Sequence, residues 1–498
     1  MISAFVLLLC SLSAFISYQT WHILVRRHKS YQDGCEPPTR LPGIDPIFGL
    51  DFFFESLRLQ RSDRILATIN SRFQKYGRTY ELRALGSPVI FTIEPENARA
   101  VFSTNENHWG VAPLRASAMT FLGRGIITVD GDEWKRARNL VKPNFTKSNV
   151  MNFAPIESRL TELFENIQSG QQIDLQSSFL RLYMDFGAEW VFDETFSHAD
   201  MKVFEADFDN CLSGSGLRLA LGPFAFLVPK TNWLKSRDVV RSLANKYIEQ
   251  ALCSISPEKS QTQGRLSFPR YLADKAISRP EAIDQVLNLS IANMATTAIH
   301  LSNCLFILSR RPDIWQLLQA EVAALPNFTF DSLRTLKAMR NLLLEALRLY
   351  PIFPNLSRVA LCDTTLPTGG GPLGTSPIFV PAGTKIVPSQ MSMGRDERIW
   401  GPDAAQVRLD RWDEGDLERR AWHFMPFGYG TRACLGQQKS NMEVSYILAR
   451  MVTRFERIES RDAREWVGRM RVTTRNANGC LVALYKKEGV GDAAVADA

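Results

Sequence analysis

Phe427-Gly428-Tyr429-Gly430-Thr431-Arg432-Ala433-Cys434-Leu435-Gly436 places a cysteine in a glycine-rich loop, ahead of a helix-forming stretch from Gln437 to about Phe455. A cysteine at the mouth of a helix aims its sulfur at unsatisfied backbone N–H groups, which favours thiolate over thiol. Gly428 and Gly430 let the chain turn sharply and pass close under a flat ligand, where a Cβ would collide. Arg432, two residues before the sulfur, can grip a carboxylate on that ligand with a two-pronged hydrogen bond. A thiolate below, a planar group above and a cation for its acid side chain describe haem b with Cys434 as axial ligand. The bland alternative is a buried free cysteine beside a glycine turn. The full set of spaced residues weighs against it.

Other candidate residues lie on helices that must be brought to this loop. Trp134 and Arg138 are four apart and share a helix face. Residues 281–310 form a long apolar, helix-compatible run containing Ala292-Asn293-Met294-Ala295-Thr296-Thr297. Asn293 and His300 are placed to share the helical face of Thr296, and a histidine can titrate near neutrality. Most histidines in apolar helices are only packed and hydrogen-bonded, and Thr296 can simply bond back to its own helix. Glu345 and Arg348, in Leu343-Leu344-Glu345-Ala346-Leu347-Arg348-Leu349-Tyr350-Pro351, are three apart and can pair.

The bulk numbers bound the class. The chain has 498 residues, of which 45% are hydrophobic and 22% charged, within the ordinary globular range. Its net charge of +7 is modest. With no basic run interleaved with aromatics, the excess fits a membrane surface or an acidic partner and not nucleic acid. The eight cysteines show no C-x-x-C pair or regular spacing, so they read as free thiols of a reducing compartment. The six histidines are scattered and support no zinc site.

Along the chain, residues 1–25 are an apolar segment followed at once by Arg26-Arg27-His28-Lys29. No positive charge precedes it, which favours an uncleaved single-pass anchor over a signal peptide and places residue 26 onward in the cytosol. Residues 26–48 read as a basic, proline-rich linker. A catalytic domain is expected over 49–486 and a disordered tail over 487–498. Within the domain, Thr79 to Arg83 and Val89 to Ile93 form a hairpin through Gly86-Ser87-Pro88, and Glu94-Pro95 opens a helix. Leu217 to Trp233 is strongly apolar and can also touch a membrane. Gly369-Gly370-Gly371-Pro372 and Pro381-Ala382-Gly383-Thr384 mark turns. Asn144, Asn288, Asn327 and Asn355 begin glycosylation sequons, which carry no sugar if cytosolic.

The spacing F-x-x-G-x-R-x-C-x-G resembles the haem-binding signature of the cytochrome P450 superfamily, with every fixed position matched. Cys35-Glu36-Pro37-Pro38 followed by Leu41-Pro42-Gly43-Ile44-Asp45-Pro46 looks like the linker of the fungal group that hydroxylates alkanes and fatty acids. The resemblance runs from about Gln32 to Tyr485. It implies a mainly α fold with a small β region, preceded by an N-terminal membrane-anchor helix. It also implies that Trp134, Arg138, Arg358, Phe427, Arg432, Cys434 and Gly436 bind the cofactor, with Arg358 on a propionate. Thr296 and Thr297 would serve oxygen chemistry. Glu345, Arg348 and Arg411, the last in Leu409-Asp410-Arg411-Trp412, would form a charge cluster that locks the cysteine loop. Leu217 to Trp233 resembles the variable substrate cap.

The chain departs from that pattern where A-G-x-D-T-T is usual. Asn293 replaces the glycine and Ala295 replaces the acid. The implied activity is hydroxylation or further oxidation of a lipophilic small molecule, with electrons from an NADPH-cytochrome P450 reductase at the endoplasmic reticulum membrane. A specialised polyketide or terpenoid suits the altered helix better than an alkane or fatty acid. Chemistry without ordinary oxygen activation, by an isomerase, dehydratase or peroxide user, is the alternative. The protein is expected to be monomeric, with Lys135, Arg136 and Lys439 meeting the reductase.

Overall fold

The computed structural model describes residues 30–253, 266–413 and 420–487, with Trp21, Val25, Arg26 and His28 ahead of them. The expected anchor and tail lie outside these residues, apart from Trp21, Val25 and Lys487. The chain forms two compact units.

The first unit comprises the described residues within 1–55, 69–110 and 356–389. It is built on a six-stranded sheet whose second and third strands are the expected hairpin, Thr79–Ala84 paired antiparallel with Ser87–Thr92. The turn falls at Leu85 (φ 50°) and Gly86 (φ 80°). Two consecutive left-handed residues match the twist of the flanking strands, so Ser87 and Pro88 belong to the second strand. Tyr80 and Phe91 face each other across the hairpin and stack with ring centroids 5.2 Å apart. The proline-rich segment is tied into this unit. Thr39–Arg40 adds a parallel edge strand beside Tyr80 and Glu81, and the Glu36 N–H donates to the Pro377 carbonyl at 2.8 Å. Pro95 stands in the first turn of the helix Pro95–Arg99, where its missing N–H costs nothing.

The second unit comprises the described residues within 56–68, 111–355 and 390–498. Its helices include α1 (Ala112–Leu122), α2 (Gly131–Val141), α3 (Leu175–Phe192), α4 (His198–Leu221), α5 (Thr231–Cys253), α6 (Arg279–Asn293), α7 (Thr296–Leu308), α8 (Lys337–Leu349) and α9 (Gln437–Arg454). One apolar core runs through them and takes in Phe179, Leu287, Leu305, Leu342 and Ile447. Together α6 and α7 are long and apolar enough to cross a bilayer, but 78% of their most apolar window is buried inside the protein. They are its central core element. Every residue from Thr297 to Leu308 is buried.

The run expected as one helix over 281–310 is therefore two. Ala295, with φ −132° and ψ −30°, leaves the helical region between α6 and α7. The sequons at Asn144 and Asn288 are packed inside. Asn288 accepts from the Ile127 N–H at 3.0 Å and donates to the Leu122 carbonyl at 3.0 Å. Gly125 passes so close to it that a Cβ would lie 2.4 Å from the Asn288 amide.

Candidate functional site

Cys434 sits where the loop enters α9. Gly428 (φ 71°) and Gly430 (φ 69°) hold left-handed conformations, and the Cys434 N–H donates to the Phe427 carbonyl at 2.9 Å. A Cβ on Gly436 would meet the Phe145 ring at 3.3 Å, so a larger residue would have to push that ring aside. Cys434 is exposed, yet the groups crowding its sulfur push the thiol pKa up. The Gly436 N–H and the Arg138 guanidinium pull it down. The helix-mouth effect expected from the sequence is thus present but outweighed. The charge of a bound metal would deprotonate the thiol outright.

Two cations flank one indole beside this loop. Arg432 lies 4.6 Å and Arg138 5.5 Å from the ring centroid of Trp134, which is itself buried. Arg138 donates to the Ala433 carbonyl at 3.1 Å, which ties α2 to the residue before the cysteine. Arg432 pairs with Asp130 at 2.7 Å and donates to the Val129 carbonyl at 2.6 Å.

Sequence reasoning gave Asp130 and Arg115 no role. Asp130 precedes α2 as a cap residue would, but its carboxylate accepts instead from the Val111 and Ala112 N–H groups and from Arg432. Arg115 on α1 donates to the Ile127 carbonyl. Burial and the neighbouring Arg432 push its pKa down to about 10, against the pull of Asp130. No motif marks either residue. Arg358 lies in the first unit, on the strand Arg358–Ala360, with its guanidinium 4.7 Å from the Phe102 ring centroid.

The break between α6 and α7 is brought to the cysteine loop. Ile299, Leu347 and Ile352 form a small buried cluster, against which Ala295 and Phe427 both pack. Near the break Ala292 is exposed and Ala295 and Thr296 half-buried, which leaves one face of a core element open. Thr296 donates back to the Ala292 carbonyl at 2.8 Å, and Thr297 donates to the Ser440 hydroxyl on α9 at 3.2 Å.

His300 does not join them. It is fully buried, with Nε2 3.1 Å from the Leu343 carbonyl, and burial lowers its pKa from 6.5 to about 4. The folded state therefore keeps the imidazole neutral, while the unfolded chain takes up a proton below about 6.5. This contribution to stability is whole above 6.5 and falls as pH drops toward 4. In chemical denaturation, His300→Gln is expected to remove about 2 kcal/mol of the loss that the wild type shows between pH 7 and pH 5.

Glu345, Arg348 and Arg411 come together in the interior. Glu345 and Arg348 on α8 make a bidentate pair at 2.8 and 2.6 Å, with both side chains fully buried. Glu345 also accepts from the Trp412 indole at 3.0 Å and the Arg408 N–H at 3.0 Å, and Arg411 lies 3.6 Å away. Arg348 satisfies the Gly394, Ala404 and Gln406 carbonyls.

One expectation is overturned. Lys439 cannot be a reductase contact, because it is 3% exposed. Its ammonium points inward to Glu443 at 2.7 Å and Asn293 at 2.8 Å. Lys135 and Arg136 are exposed, paired with Asp132 and Glu281. In the cap region Trp233 is buried, while Phe224, Phe226 and Leu227 are exposed.

Residues 45–469 match the family model for cytochrome P450. A cytochrome P450 monooxygenase designated himC from Aspergillus japonicus is 34% identical over 92% of this chain and 85% of its own length. Another designated fsdH, from Fusarium heterosporum, is 33% identical over 94% and 87%. Cytochrome P450 52A12 of Debaryomyces hansenii is 32% identical over 86% and 88%. With its mainly helical fold and its relatives named as monooxygenases, the chain belongs to the cytochrome P450 family and is an oxygen-incorporating oxidoreductase.

Proposed function

We propose that this protein is a haem-thiolate monooxygenase that hydroxylates or further oxidises a lipophilic small molecule in fungal secondary metabolism, with a polyketide or terpenoid as substrate class. The observation that carries the reading is the convergence of Ala295 at the helix break and Phe427 of the cysteine loop on one buried cluster. The residues present suit haem b. Cys434 offers a soft anionic donor, and Arg138 and Arg432 bring two guanidinium groups to one indole, matching two carboxylates. Trp134 would add to the hold on those acid side chains, and Gly436 and Phe427 would shape the loop beneath. Bound haem supplies dioxygen activation, which a thiolate ligand favours by promoting O–O cleavage.

The chain's own residues place the substrate, exclude water and hold protons. Thr296 and Thr297 stand at the break to do the last of these. Exposed Phe226 and Leu227 support a cap that meets lipid, and thus a lipophilic substrate reached from the endoplasmic reticulum membrane. An anchor over residues 1–25, a cytosolic catalytic domain acting as a monomer and an NADPH-cytochrome P450 reductase as electron donor complete the reading. Lys135 and Arg136 are suited to meet the reductase, because both are exposed cations.

NADPH- and reductase-dependent oxygen consumption with product formation tests the reading. Extracts of producing cells with and without the protein identify the substrate. A second reading, non-monooxygenase or peroxide-using chemistry, is favoured by Ala295, which can neither donate nor relay a proton. If protonation is the weak step, Ala295→Asp is expected to speed that step, by up to about the 10²–10⁴-fold of general acid catalysis, and so to raise product formed per NADPH toward one. Loss of turnover without better coupling, with peroxide supporting the wild type better than the reductase does, would favour the second reading.

A further inference from the structure

The two residues 439 and 440 on α9 hold opposite sides of the break between α6 and α7. Before the break, the Lys439 ammonium donates to Asn293 Oδ1 at 2.8 Å. After it, Ser440 accepts from Thr297 at 3.2 Å. Asn293 is the last residue of α6 and Thr297 the second of α7. The Asn293 amide also reaches the Gly187 carbonyl of α3 at 3.5 Å, so its carboxamide is held from both ends.

A charge in this place is costly. Lys439, Glu443, Asn293 and Tyr183 are all buried. Removing an ammonium from water costs several kcal/mol unless its partners are well placed. Here they are. Glu443 Oε1 lies 2.7 Å from the ammonium, and the Phe186 and Trp190 rings have centroids 5.0 and 4.6 Å away. Burial pushes the Glu443 carboxyl up, while Lys439 and the Tyr183 hydroxyl, which donates to it at 3.3 Å, hold it down. A lysine needed only for packing would not require a carboxamide at the exact end of α6.

We propose that Lys439 is a positioning residue which, with Ser440, clamps the break between α6 and α7 and so fixes Thr296 and Thr297 relative to Cys434. Lys439 and Ser440 lie in the first turn of α9, and Cys434 lies three residues before that helix begins. Asn293 and Lys439 then act as a unit, the carboxamide giving the ammonium its target across 146 positions of sequence. The proposal rests on the monooxygenase reading only for its functional consequence.

Lys439→Met alone strands the Glu443 carboxylate and can fail to fold. The working variant is therefore Lys439→Met/Glu443→Gln, in which both charges leave together and the stems remain. In the haem-loaded protein, hydrogen–deuterium exchange of the peptide spanning 290–300 is expected to quicken at least tenfold, with exchange in α8 unchanged. Product per NADPH is expected to fall at least threefold while the carbon monoxide band of the reduced protein persists. Asn293→Gly is expected to do the same, and to add nothing in the Lys439→Met/Glu443→Gln background. Unchanged exchange at 290–300, a uniform rise across the chain, or additive effects of the two changes would overturn the clamp. Should the wild type show no reductase-dependent turnover, the monooxygenase reading fails, and the exchange and additivity results still decide the clamp.

Discussion

Replacing Cys434 with alanine is expected to abolish the red-shifted Soret band that the reduced protein should show with carbon monoxide, and with it all reductase-dependent turnover. That band reports thiolate ligation of haem iron. The loop should survive the change. Its conformation comes from the left-handed Gly428 and Gly430 and from the Cys434 N–H bonded to the Phe427 carbonyl, none of which uses the sulfur. The circular dichroism of the variant should therefore match the wild type while the band is gone. Among the described residues Cys253 and Cys362 are also exposed. Neither follows a glycine turn at a helix mouth, and their replacement should leave the band in place. A band that persists in Cys434→Ala would assign the ligand elsewhere.

Glu345→Gln is expected to be nearly as severe, but through folding. Its carboxylate faces Arg348 in a bidentate pair and lies 3.6 Å from Arg411, and all three side chains are buried. The substitution leaves the Arg348 charge in the interior without the Glu345 anion, facing carbonyls and the Trp400 ring. Breaking a buried pair by removing one partner costs about 3–5 kcal/mol, a large share of the 5–15 kcal/mol by which domains are stable. The expected result is little or no haem-loaded protein at 37 °C, and a sharply lowered denaturation midpoint at lower temperature. Glu133→Gln provides the contrast. Its pair with Arg124 is more than half exposed, and exposed pairs contribute about 0–1 kcal/mol. A Glu345→Gln protein as stable as Glu133→Gln would remove the cluster from its proposed role in locking the loop.

Local spacing carried much of the site into view. The cysteine loop is contiguous, so its glycines, arginine and sulfur keep their relation whatever surrounds them. The pairs Trp134 with Arg138 and Glu345 with Arg348 were legible for the same reason, since helical geometry alone sets which residues three or four apart can meet. The hairpin at residue 79 was legible in existence but not in turn placement. Leu85 adopts a left-handed conformation that a leucine does not advertise, whereas Ser87-Pro88 looked like the turn.

What the sequence by itself determined was thus the cysteine loop, the arginine within it and the helices that had to reach it. Only the tertiary structure decided the rest, because long-range partners set it. A lone lysine is almost never buried unless paired, so sequence reasoning put Lys439 on the surface. Asn293 looked like an unexplained departure from a pattern. Each explains the other once α9 is packed beside the end of α6. Asp130 and Arg115 were equally silent, since an aspartate before a helix reads as a cap and a lone arginine on a helix as solvated surface. Their pairing with Arg432 and the Ile127 carbonyl exists only after the loop from Gly123 to Gly131 folds against α6. Burial reverses the ordinary preference of a charge for water only when partners arrive from elsewhere in the chain, and that arrival is a property of the fold.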